Sequence, residues 1–227
     1  MRLNLLKWDI KMKLAELFEA VLTAHPNSGS SYLRQQVVEL ADLIRAEAGE
    51  MVKAYQLTNG YLYRGRTANS TPFIPIRIRP DRRPVDMQGS QHELLHRAFK
   101  EAGLQATRKN GIFCSTQQKI ANDWGDTTTI IFVKDGWVGT VFDRLKNDYA
   151  YFALSASGQS EETEDNKIEA IKKDITRYGG RSFDTASELA NIIDNEYADV
   201  IISGNSYYAL DIKSPLTKRV LTELGLD

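Results

Sequence analysis

At 227 residues, with 42% hydrophobic and 26% charged side chains, the chain has the composition of a folded protein and the length for one substantial core, which argues against extensive disorder or two full domains. Its 29 Lys and Arg against 30 Asp and Glu leave a net charge of −1, so no global field draws it to nucleic acid or anionic lipid, and any polyanion site has to be local. The one cysteine, Cys114, excludes an intrachain disulfide framework and suits a reducing compartment, so a cytoplasmic setting is expected.

The N-terminal stretch breaks its apolar residues with Lys7, Asp9, Lys11, Lys13, Glu16 and Glu19, which leaves no signal-peptide core. No run anywhere approaches the roughly 20 apolar residues of a spanning helix, so no membrane partner is expected. Between Lys11 and Ala24, Leu14, Leu17, Phe18, Val21 and Leu22 form one helical stripe, and a second follows through Leu33, Val37, Leu40, Leu43 and Ile44. Residues 1–55 read as an N-terminal helical unit that contacts the core, a partner or a substrate, and residues 56–227 as an α+β domain.

Beyond it come short β-rich runs at Tyr61–Arg64, Phe73–Ile78, Gly111–Cys114, Thr127–Val133, Tyr149–Leu154, Val200–Ser203 and Tyr207–Ile212. Helical patterns separate them at Ser90–Ala102, Lys167–Tyr178, Thr185–Asp194 and Pro215–Leu224. Many short strands with scattered helices predict a mixed, largely antiparallel sheet and not repeated βαβ units. Ser155–Asn166, with Glu161, Glu162, Glu164 and Asp165 and no apolar period, reads as a surface loop.

Three distant stretches join a strand to polar groups suited to a phosphorylated sugar. Arg64 ends a strand beside Gly65, which lets a ligand approach the backbone, with Arg66 following; Arg-Gly is equally a plain strand end and turn. Ser115 and Thr116 close an apolar strand, where they either line a cleft or cap a helix beginning near Gln117. Asp199 opens an apolar strand that leads towards Tyr207 and Tyr208, and is otherwise a solvated edge residue.

In this order the three stretches resemble the arginine, serine/threonine and glutamate motifs of ADP-ribosyltransferases of the Arg-Ser-Glu type. The likeness covers about residues 60–212 and is closest to uncharacterised phage-encoded members. Its shared motifs are Tyr63-Arg64-Gly65, Arg82-Arg83-Pro84-Val85-Asp86 before a helix with His92, Gly111-Ile112-Phe113, Ala121-Asn122-Asp123-Trp124-Gly125 and Tyr207-Tyr208-Ala209. The resemblance implies a split β-sheet core of ADP-ribosyltransferase type and a transferase or glycohydrolase that breaks the nicotinamide–ribose bond of NAD. It implies a place in the host-cell cytoplasm or the virion. Arg64, Gly65 and Arg66 would hold NAD, Ser115 and Thr116 would support the sugar, and Asp199 would be the carboxylate. The family's glutamate is one methylene longer than Asp199, which leaves transfer, NAD hydrolysis, a related glycosidic reaction or binding alone open, and Glu196 is the alternative carboxylate.

His92-Glu93-Leu94-Leu95-His96 also matches the HExxH pattern of zinc peptidases, with Glu196 as third ligand. Against it, Ser90 and Glu93 form a capping box, and Leu94, Leu95, Ala98, Phe99 and Ala102 make a buried stripe. Six arginines (64, 66, 77, 79, 82 and 83) against Asp81 concentrate positive charge between Arg64 and Arg83. They suit NAD pyrophosphate or a nucleic acid, as acceptor or as the ligand of a non-catalytic or virion-associated module, or else face solvent from a strand. Cys114 reads as an inert buried thiol, and Trp124 and Trp137 as core or cleft-wall aromatics.

Overall fold

The computed structural model describes residues 30–67, 75–82, 88–144, 163–195 and 199–226. The expected helix Lys11–Ala24, the strand Tyr149–Leu154, Arg83 and Glu196 lie outside them. The described chain is α+β, with seven helices and two four-stranded sheets in which every pairing is antiparallel.

Sheet A has the order β1 (Tyr63–Arg66), β4 (Thr127–Val133), β8 (Ser206–Asp211), β2 (Ile76–Arg77). Sheet B has the order β3 (Gly111–Cys114), β7 (Val200–Ser203), β5 (Val138–Phe142), β6 (Gly180–Phe183). In β4 the consecutive residues Ile130, Ile131, Phe132 and Val133 are all buried, as are Val200, Ile201 and Ile202 in β7. A strand whose neighbouring side chains point to opposite faces buries all of them only when both faces are covered.

The covering layers follow from the pairing register. Phe132 lies opposite Tyr208 and Ile130 opposite Leu210, so these four share one face of sheet A. Helix α1 (Ser30–Glu47), helix α2 (Gly49–Gln56) and the C-terminal helix α7 (Pro215–Leu224) belong to the core on that side. In α1 Val37, Leu40, Ala41 and Ile44 fall at i, i+3, i+4 and i+7 and are buried, and α1 packs on α7. Tyr55 of α2 meets the Phe132 ring edge-on at 5.3 Å and donates its hydroxyl to Ile131 O at 2.6 Å. The described part of the N-terminal unit is therefore part of the main core.

The opposite face of sheet A, carrying Thr129, Ile131, Val133, Tyr207 and Ala209, looks towards sheet B. Ile112, Cys114, Val200 and Ile202 of sheet B belong to the same core. The outer face of sheet B, with Ile201 and Phe142, is covered by α3 (Gly89–Glu101) and α5 (Glu164–Arg177) through Leu94, Leu95, Phe99, Ile168, Ile171 and Ile175. Helix α6 (Ala186–Asp194) follows β6 and packs on α2. The layers thus run helix, sheet A, sheet B, helix.

Two expectations are corrected here. The residue before α3 is Gln88, with no side-chain cap, and Glu93 bonds Lys109 Nζ at 2.7 and 2.9 Å, so Ser90 and Glu93 do not form a capping box. Glu164 and Asp165, expected in a loop, form the first turn of α5, where their charges suit the helix N-terminus and Thr163 Oγ1 accepts the Asn166 amide.

Candidate functional site

The edge strand of sheet A meets the edge strand of sheet B at one reciprocal pair. Tyr63 N donates to Ser115 O at 2.7 Å, and Ser115 N to Tyr63 O at 2.8 Å. Arg64 and Ser115 are thereby brought together from segments about fifty residues apart. Cys114 pairs with Val200 at the end of the β3–β7 ladder, and the half-buried Asp199 directly precedes Val200 in the chain. The backbones of the three motif segments therefore lie near the joint between the sheets, but strand alternation sets Arg64 on the face opposite Tyr63 and its partner Ser115, and puts position 199 on the face of sheet B that carries Ile201.

Arg64 pairs with Thr129, on the face of sheet A that looks towards sheet B. Its Nη1 donates to Phe113 O at 2.6 Å, while its Nε is buried with no hydrogen-bond partner. A buried guanidinium N–H without an acceptor is costly, and it marks a place where a ligand oxygen would be welcome. Arg64 also lines a cavity of about 290 Å³ with Arg77, Ile78, Arg79, Arg82, Ile112 and Tyr207.

The cavity wall is held from several sides. Arg82 Nη1 donates to Gly111 O at 2.7 Å and its backbone N to Lys109 O at 2.9 Å, while Ile78 N donates to Asn205 O in the β7–β8 turn at 3.0 Å. Burial lowers the pKa of Arg82 from the usual guanidinium value, and the neighbouring charges of Arg64 and Arg108 lower it further. Arg66, half-buried at the end of β1, is lowered chiefly by burial as well.

Other expected residues take different parts. Ser115 is fully buried, and its Oγ accepts the Gln117 amide at 3.0 Å, just before the short helix α4 (Gln118–Asn122). It shapes the β3–α4 turn and does not cap the helix, whose N-cap Gln117 carries no side-chain cap bond, and Thr116 beside it is half-buried. The space over Gly65 is filled by the chain itself. A Cβ there would stand 2.7 Å from Trp124 C and 2.8 Å from Trp124 Cβ, with Ala121 O closer still, so the glycine admits α4 and the following turn instead of a ligand. Trp137 is in the core, but Trp124 is exposed.

Comparison of the chain with protein-family models, with curated proteins and with solved structures finds no match. The site is therefore read from its own chemistry.

The cavity draws Arg77, Arg79 and Arg82 from the expected basic stretch and adds Tyr207, which the sequence reading did not place in a site. Tyr207 lines the cavity, while Tyr208 is buried on the other face and donates its hydroxyl to Glu47. The strand period of two carried that signal, because adjacent tyrosines must point to opposite faces. Arg77 and Arg79 are exposed yet contribute to the cavity wall, and β2 covers only Ile76 and Arg77.

The HExxH residues sit on α3. His92 is buried with both ring nitrogens unpartnered, His96 Nδ1 lies 2.9 Å from Thr107 Oγ1, and Glu93 is engaged by Lys109. Burial is the main cause lowering both imidazole pKa values. Among the described residues no three His, Cys, Asp or Glu side chains gather in a metal-binding group. No described helix is long and apolar enough to cross a membrane. Cys114 is fully buried, and burial pushes its thiol up to about 12, as suits an inert thiol.

Proposed function

We propose that the protein cleaves the nicotinamide–ribose bond of NAD, as an ADP-ribosyltransferase or NAD glycohydrolase. The observation that supports this reading is the buried Arg64 guanidinium, with an unpartnered Nε, at the joint where β1 meets Ser115 and where β7, which Asp199 precedes, pairs with β3.

In this reading Arg64 supplies the charged grip on a phosphate or ribose oxygen, with its unpartnered Nε as donor and its Nη1 bond to Phe113 O fixing the fork. Departure of nicotinamide takes the C–N bonding pair to the ring nitrogen and cancels its positive charge. Positive charge then spreads over the ribose C1′ and ring oxygen, and the Asp199 carboxylate stabilises it. An acceptor oxygen, from water or a macromolecule, bonds to C1′ and gives its proton to Asp199. Ser115 is a positioning residue, because its buried hydroxyl holds the turn that sets β3 against β1.

The test is nicotinamide release from NAD by the purified protein. Arg64→Ala and Asp199→Ala are expected to abolish it, while Asp199→Glu, which restores the longer side chain, retains it. Undiminished turnover in both alanine variants would end the assignment.

A further inference from the structure

Among the described residues, four guanidinium groups and no carboxylate line one small cavity. Arg64 and Arg82 are each tied through Nη1 to a carbonyl of the same strand, Phe113 O and Gly111 O. That tethering fixes the planes of both forks and leaves their other N–H groups for a ligand, and Arg64 Nε is one such buried donor without an acceptor. Burial first, and then the charge of Arg64, lowers the pKa of Arg82 beside it. Arg77 and Arg79, both exposed, complete the wall.

We infer that this cavity binds a phosphomonoester, the terminal phosphate of a free nucleotide or of a nucleic-acid 5′ end. The inference goes beyond NAD cleavage and stands on the wall chemistry, although Arg64 belongs to both readings. A phosphomonoester carries about −1.5 to −2 charges and three strong acceptor oxygens on a single phosphorus. Each phosphate of a diester or of a dinucleotide pyrophosphate offers one charge and two free oxygens. Arginines clustered around so little volume match the more concentrated anion. Size points the same way: about 290 Å³ lies at the lower edge of the roughly 300–1,000 Å³ typical of ligand pockets. It fits a chain end or a mononucleotide, whereas a continuous strand needs a groove that tracks its backbone.

The experiment measures binding of a 3′-labelled hexathymidylate with a 5′-phosphate, and of its 5′-hydroxyl twin, to the full chain by fluorescence anisotropy at fixed salt. Calorimetric titrations with AMP and with adenosine form the second arm. The terminal phosphate is expected to tighten binding about tenfold or more, since charge-assisted Arg–phosphate bonds are the strong ones. Arg77→Gln with Arg79→Gln, at exposed positions where an unchanged melting temperature verifies the fold, is expected to remove most of that preference. Preference in the oligonucleotide pair assigns the ligand to a nucleic-acid end, and binding of AMP but not adenosine without such preference assigns it to a free nucleotide. Indifference to the phosphate in both arms overturns the inference, as does a preference that survives in the double variant. Nicotinamide release is not read in either arm, so the outcome is separate from that of the NAD reading.

Discussion

Gly65→Ala tests the framework that holds Arg64 in place. The added methyl would lie 2.7–2.8 Å from Trp124 atoms and closer still to the Ala121 carbonyl. The obstacles include backbone, so the collision cannot be relieved by a side-chain rotation, and β1 or the α4 turn has to move. Overpacking of this kind costs about 1–3 kcal/mol, and the rigid neighbours place this case near about 3 kcal/mol. For a chain of this size each kcal/mol lowers the melting temperature by about 2–4 °C, which gives a fall of about 6–12 °C. Gly89→Ala is the control, because a Cβ there meets nothing within 4 Å and alanine favours the first turn of α3. Thermal melts of both variants beside the parent protein decide the matter. A Gly65→Ala protein melting within about 2 °C of the parent would refute the reasoning that α4 and β1 are in rigid contact.

Burial holds the pKa of His92 and His96 below the ordinary imidazole value, with Lys109 acting in the same direction on both and Arg108 on His92. The unfolded chain therefore takes up protons first, and stability is expected to fall as pH drops through about 6.5 and to level off below the folded values. Replacing both with Gln should flatten urea midpoints measured between about pH 7 and pH 5.5. Cys114, fully buried and with its thiol pushed up to about 12, is expected to resist a thiol-specific reagent in the native protein and to react only in denaturant; rapid native labelling would contradict that burial. Arg64→Lys retains the charge but loses the planar fork that reaches Phe113 O, so nicotinamide release is expected to fall by at least tenfold, and near-parental turnover would show that the fork geometry is dispensable.

Strands β3, β4 and β7 match the sequence expectation residue for residue because their apolar runs are compact and end at turn residues. Strands β5 and β6 were missed for a physical reason. Val138-Gly139-Thr140 and Gly180-Arg181-Ser182 carry glycine and polar residues that weaken the local signal, and they are strands because their neighbours supply the hydrogen bonds. Helix α2 was not resolved as a separate helix within the N-terminal unit, and its burial of Met51, Val52 and Tyr55 depends on the sheet beneath it.

The sequence by itself determined the class of the fold, most of the helices and the three polar stretches in their order, since local periodicity and turn chemistry are properties of neighbouring residues. Only the tertiary structure decided that the Arg64 and Ser115 segments meet through the Tyr63–Ser115 pair, and that β7, which Asp199 precedes, pairs with β3. It also decided that Gly65 makes room for the chain's own turn and that Arg64, Arg77, Arg79 and Arg82 share one cavity. Such long-range pairings rest on hydrogen bonds and packing between segments far apart in the chain, and no local pattern of residues encodes which distant partner a strand edge will find.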